Sequence, residues 1–215
     1  MKLHLDRDAF DVFIENIHER CSYRSDVLEK DYYVVLILEE LAKFQKENGL
    51  PAYFKGGTAL YKALKMTNRF SEDIDLSVDT RGMSRSQNDK KLSEAAKKYT
   101  VLPREEGITH RSEVITTYIY EPVTNYDTDD SLQRFGRVKI EATSFTIGEP
   151  VTSMEIAPLI YELATEDEKR ILESQYDIKP FEIKTITMER IFVDKLFAAE
   201  AYVRKSENEH RAFEA

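Results

Sequence analysis

The stretch FKGGTALYKALKMTNRFSEDIDLSVD, residues 54–79, constrains this chain more than any other, because a double glycine at a helix start is followed closely by paired acids on a strand. Gly56 and Gly57 let the backbone come within hydrogen-bonding distance of a ligand. The helix predicted from Thr58, its expected cap, aims unpaired N–H groups and a partial positive charge at that point, as phosphate-holding turns do. An ordinary tight turn reads the same way. Asp73 and Asp75 flank Ile74 and precede Leu76, so on a strand both carboxylates take one face and the two apolar side chains the other. Two such carboxylates raise each other's pKa unless a cation lies between them, and oxygen-only ligation suits Mg²⁺ or Mn²⁺. A strand end reaching solvent is the plain alternative.

A third acid follows in RVKIEATSF, residues 137–145, where Val138, Ile140 and Ala142 alternate with Lys139 and Glu141. Glu141 is thereby a candidate to lie across the sheet from the aspartates. Three carboxylates can hold two divalent ions about 4 Å apart, an arrangement that serves phosphoryl transfer. A cross-strand partner for a Lys or Arg is the simpler role for Glu141. In the last predicted helix Lys195 interrupts an apolar stripe formed by Met188, Ile191, Phe192, Leu196, Ala199, Tyr202 and Val203. Such a lysine either snorkels to water or neutralises something such as triphosphate. Arg69 and Ser71, just before the aspartates, are further candidates for phosphate contact.

Around this segment the pattern alternates helices and strands without repeat or low-complexity tract. Helices are expected at 6–19 and from Ser25 or Asp26 to Gly49, with Glu29 at capping-box spacing from Asp26. Further helices are expected at 58–64, 84–98, 165–174 and from Thr187 to about Lys205, and strands at 52–55, 74–78, 112–120, 136–145 and 151–156. Tyr126 to Ser131 reads as a turn. The architecture expected is α+β: a mixed sheet carrying the site, an N-terminal helical pair, and a C-terminal helical region, with a boundary near Tyr161 that divides 1–160 from 161–215.

Composition closes off other chemistries. One cysteine and four scattered histidines supply neither a disulfide framework nor zinc-ligand spacing. The longest apolar run, Tyr32 to Leu38, falls short of the roughly 20 residues of a membrane span, and MKLHLDRD has no signal-peptide core, so a cytoplasmic protein is expected. A net charge of −9 argues against coating nucleic acid over the whole surface. One basic island stands out between Arg81 and Arg104, where Arg85, Lys90, Lys91, Lys97 and Lys98 join the two arginines against Asp89 and Glu94. It reads either as a nucleic-acid patch or as a solvated helix face.

These segments together resemble the AbiEii/AbiGii nucleotidyltransferase toxins, the catalytic partners in type IV toxin–antitoxin systems, which have a DNA polymerase beta-like nucleotidyltransferase fold. LEKDYYVVLIL at 28–38 resembles the family's N-terminal helix signature, FKGGTALYKAL with RFSEDIDL its Gly-Gly and paired-acid motif, VKIEAT its third-acid strand, and ERIFVDKLFAAEAYVR at 189–204 its lysine-bearing helix. The resemblance implies that Asp73 and Asp75 ligate Mg²⁺ or Mn²⁺ with Glu141 in the third-acid position. It also implies that Gly56, Gly57 and Thr58 contact nucleotide phosphates and that Lys195 holds triphosphate. Transfer of a nucleoside monophosphate from an NTP to an acceptor follows, with tRNA suggested by some members and an antitoxin as partner. A protein that binds NTP or antitoxin without turnover, and a small-molecule nucleotidyltransferase, are the other readings. Such proteins continue to an Arg/Lys-Asp motif in a C-terminal helical domain; no such motif follows Lys195, so an incomplete C-terminal region is expected, and Asp194 stands where Glu is commoner.

Overall fold

The computed structural model describes residues 1–66, 70–105, 107–124, 135–145 and 149–213, with side chains of the final helix described as far as Arg204. Helix α1 (Arg7–His18) opens on Asp6, whose side chain accepts the Ala9 N–H, and buries Phe10, Ile14 and Ile17 on one face. Helix α2 (Ser25–Glu47) is buried continuously from Leu28 to Leu38. Strand β1 (Ala52–Lys55) leads into α3 (Gly56–Thr58), which runs on as one π-helical turn over Ala59–Ala63. There follow β2 (Ile74–Val78), α4 (Arg85–Lys97), β3 (Ile108–His110), β4 (Glu113–Ile119), β5 (Arg137–Thr143) and β6 (Val151–Ile156). Two helices, α5 (Leu159–Glu162) and α6 (Glu166–Tyr176), precede β7 (Phe181–Ile186) and the long α7 (Met188–Phe213).

The seven strands form one mixed sheet in the order β3-β4-β5-β2-β1-β7-β6, with β2 parallel to β5 and β1 parallel to β7. Alternation sorts its side chains. Val114, Tyr118, Val138, Ile140, Ala142, Ile74, Leu76, Ala52, Phe54 and Ile183 share the face that carries the core. Helices α2 and α4 cover that face: the Tyr118 hydroxyl donates to the Ala96 carbonyl on α4, and the Gln45 amide on α2 donates to the carbonyls of Ala52 and Lys184. The opposite face of β5 and β2 carries Lys139, Glu141, Asp75 and Thr143.

A helix buried on all sides can hold charge only where each charge is met. On α2 the three consecutive residues Glu29, Lys30 and Asp31 do so by tying three separate segments. Glu29 accepts the N–H groups of Val123 and Thr124 and the Thr124 hydroxyl; Lys30 donates to the Arg137 carbonyl at the head of β5; Asp31 accepts the Leu159 N–H at 2.6 Å and pairs with Lys62.

Four expectations are corrected. The Asp26–Glu29 capping box does not form, because Asp26 pairs with Arg24 and Glu29 faces the 123–124 segment; Arg24 sits at the N-cap with no side-chain cap. Thr58 is not a cap, since the helix already begins at Gly56. The sheet continues past Tyr161, because β7 inserts between β1 and β6. The short β3 is likewise additional. The expected turn at 126–131 lies outside the described residues.

Candidate active site

The site grows from strand register. Lys55 on β1 lies opposite Asp75 on β2, and Asp75 lies opposite Glu141 on β5, so a cation and two carboxylates form one row across three adjacent strands. Lys139 and Asp73, each two residues earlier, flank the row. The Lys139 ammonium is 3.5 Å from Glu141 Oε2 and 3.9 Å from Asp73 Oδ2. The Lys55 ammonium donates to Thr143 Oγ1 at 3.0 Å, two residues beyond Glu141, and lies 5.9 Å from the centre of the Phe145 ring.

Charge in the row is unbalanced. Burial pushes the Asp75 carboxyl up to about 6, with Glu141 and Asp73 adding to the rise and Lys55 and Lys139 opposing it. Burial likewise lowers Lys55, against the pull of Asp75, Asp194 and Glu141. Among the described residues no three Asp, Glu, His or Cys side chains are already closed around a metal position; Lys139 stands between Asp73 and Glu141 instead. The donors are nonetheless of the right kind for a hard divalent ion: carboxylate oxygens on one face, at least one held in a setting that disfavours its own charge.

The glycine turn abuts this row directly. Gly56 has φ +79°, and a Cβ there would fall 2.0 Å from Asp75 Oδ2, so only glycine lets the helix start against the carboxylate. A Cβ on Gly57 would fall 2.9 Å from Ser71 Oγ. Thr58 is buried and its hydroxyl donates to the Asp73 carbonyl, with Ser71 Oγ 3.0 Å away. Thr58 thus ties the turn to the approach to β2, and Ser71 sits beside the turn.

The structure therefore brings together Gly56, Gly57, Ser71, Asp73, Asp75 and Glu141. Arg69 lies outside the described residues. Lys195 is exposed on α7, and no described ion pair or hydrogen bond joins it to the row; the residue of that helix felt by Lys55 is Asp194, which pairs with Arg190 at 2.8 Å. Sequence reasoning missed Lys55, whose place depends on antiparallel register with β2; its only local signal was adjacency to Gly56.

The basic island is placed on the other side of the sheet, since α4 packs Leu92, Ala95 and Ala96 onto the core face. Arg81 pairs with Asp79 and Glu149, Lys91 and Lys98 both pair with Glu94, and Lys97 donates to Thr109. Among the described residues no helix is long and apolar enough to cross a membrane.

Comparison with known proteins agrees with this architecture. No curated relative matches the sequence. Among solved structures, MenT4, a nucleotidyltransferase toxin from Mycobacterium tuberculosis H37Rv, superposes with a TM-score of 0.56 at 14% identity, over 86% of this chain and 57% of that one. The likeness establishes a shared fold, and the chain spans little more than half the length of that relative. Residues 36–211 match the family described as nucleotidyl transferase AbiEii toxin, type IV toxin–antitoxin system. That match covers most of the sequence and includes the glycine turn, the acidic row and most of α7, and the chain belongs to the AbiEii nucleotidyltransferase toxin family.

Proposed function

We propose that the chain moves a nucleoside monophosphate from an NTP to an acceptor, with tRNA the first acceptor to test, as the toxin of a pair that includes a cognate antitoxin. One observation carries the reading: the Gly56–Gly57 turn lies against a row in which Asp75 and Glu141 are direct cross-strand partners. Asp73, Asp75 and Glu141 would hold Mg²⁺ or Mn²⁺, which supplies charge stabilisation to a transferring phosphoryl group and its pyrophosphate leaving group. The chain's own groups do the rest. The Gly56–Gly57 turn, beside Ser71, receives phosphate oxygens where no side chain intervenes. Lys55, held by Thr143, keeps a positive charge at the side of the row where negative charge accumulates during transfer. Thr58 fixes the backbone of Asp73, so the turn and the carboxylates keep their spacing.

The basic island faces away from the row, so an acceptor engaging both must extend around the domain, as a tRNA does and a small molecule does not. Phosphate contacts of that kind make binding fall steeply with salt.

Label from each of four α-labelled NTPs is offered to a total tRNA pool with Mg²⁺, comparing the intact chain with Asp75→Ala. Transfer to tRNA that vanishes in Asp75→Ala, and that weakens as salt rises, is the expected result. Label passing to no RNA but to a small hydroxyl acceptor removes tRNA from the reading. Mg²⁺-dependent NTP binding without transfer to any acceptor leaves a binding protein.

A further inference from the structure

Phe145 lies two residues past the end of β5, and it is 66% exposed. Single exposed apolar residues are ordinary on a protein surface. This one differs in its neighbours. The ammonium that lies 5.9 Å from its ring centre is that of Lys55, the same group bonded to Thr143 and facing Asp75 across the β1–β2 pair. An open aromatic ring therefore stands beside the carboxylate row, on the side where Lys55 meets the end of β5. The described residues of the row itself, Lys139, Glu141, Asp73 and Thr143, are all polar.

A flat aromatic side chain next to a cation and a phosphate-accepting turn is the pattern by which proteins hold nucleotides through the base face, because every base offers a π surface whatever its hydrogen-bonding edge. We propose that Phe145 is a nucleobase platform, on which a base stacks while its phosphates lie toward Lys55 and the Gly56–Gly57 turn. The inference rests on the nucleotidyltransferase reading. The base belongs either to the NTP or to the end of an acceptor strand; the chemistry is shared and the experiment separates the two sources.

The chain contains no tryptophan, so Phe145→Trp introduces a single indole at an exposed position where folding tolerates the exchange. Its emission is followed while titrating, in Mg²⁺, each of the four NTPs, inorganic tripolyphosphate, and a short single-stranded RNA. In parallel, NTP and RNA affinities of the intact chain, Phe145→Ala and Phe145→Tyr are measured by calorimetry. Quenching by NTP but not by tripolyphosphate, with Kd for NTP raised roughly 5- to 150-fold in Phe145→Ala and regained in Phe145→Tyr, places the NTP base on the ring. Quenching by RNA alone, with the same pattern in RNA affinity, places the acceptor base there. NTP binding with unchanged emission and an unchanged Kd in Phe145→Ala, together with unchanged RNA affinity, overturns the platform and leaves the transferase reading intact. An intact chain that binds neither NTP nor RNA overturns both.

Discussion

Asp31 and Lys62 are each about 2% exposed and meet at 2.9 Å, joining the buried helix α2 to the π-helical turn that continues the Gly56–Gly57 turn. Single-turn π segments are rare and favour functional sites. Here the unusual turn is anchored rather than loose, since Asp31 also accepts the Leu159 N–H and Glu162 lies 3.7 Å from the Lys62 ammonium. The glycine turn thus hangs on a buried charge pair.

Removing one partner leaves the other charge buried and unmet. Asp31→Ala or Lys62→Ala is expected to destabilise the fold by about 3–5 kcal/mol each, while Asp31→Leu combined with Lys62→Met costs clearly less than the sum. Urea melts of the three variants check this. Additive losses would show that the two residues do not act as a pair.

The two glycines are predicted to differ sharply. Gly56→Ala forces a side chain into the left-handed region and onto Asp75, and should cost roughly 2 kcal/mol or more with loss of transfer. At Gly57 the obstacle is only the Ser71 hydroxyl, the end of a side chain able to rotate. Gly57→Ala should cost less, and adding Ser71→Ala should recover stability. Thermal melts rank the set; equal losses at 56 and 57 would refute the geometry.

Asp75 sets function against stability. A carboxyl held at about 6 when folded and near its ordinary value of 3.8 when unfolded binds its proton more tightly in the native state, so stability falls as pH rises from about 4 to 6 and stays reduced above. Asp75→Asn removes that loss. It is expected to raise stability by on the order of 1–3 kcal/mol at pH 7.5, to lose the advantage below pH 4, and to abolish transfer. Melting temperature against pH tests it, and Mg²⁺ should narrow the gap above pH 6 by stabilising the intact chain alone.

What was readable in the sequence follows from periodicity. Ile74 and Leu76 against Asp73 and Asp75, and Val138 and Ile140 against Lys139 and Glu141, alternate so plainly that the two strands and their faces were legible, as was the glycine turn between β1 and the helix. Three things were not. Strand β7 has three buried or half-buried apolar positions in six residues but sits between helices and draws its identity from pairing with β1 and β6. Lys55 acquires its place only through register with Asp75. The relation of Lys195 to the row is the third, because which face of α7 turns toward the sheet depends on how that helix packs; Lys195 is exposed there, with no described ion pair or hydrogen bond to the row. In the run Glu29-Lys30-Asp31 the sequence offered only the capping-box spacing of Glu29 from Asp26 and no role for Lys30 or Asp31. The roles of the three are all long-range, to residues 123–124, 137, 62 and 159, which local patterning does not encode.

Lys55 offers the sharpest test of the row because its effect should reverse with pH. Above pH 6 Asp75 is ionised and the ammonium offsets the repulsion it meets from Glu141 and Asp73; Lys55→Met then leaves Lys139 as the remaining cation of the row against three carboxylates and lowers stability. Near pH 4 Asp75 carries its proton, and the half-buried ammonium is left with its desolvation cost and less to offset it, so the same exchange becomes neutral or stabilising. The double variant Lys55→Met with Asp75→Asn should recover most of the loss at pH 7.5, giving a coupling of 1 kcal/mol or so in the double-mutant cycle. Removing the ammonium also removes a competitor for the carboxylates, so Mn²⁺ should bind Lys55→Met more tightly than the intact chain even as transfer falls. A loss of stability independent of pH would make Lys55 a packing residue, and an Mn²⁺ affinity that drops with the exchange would place the metal away from Asp75.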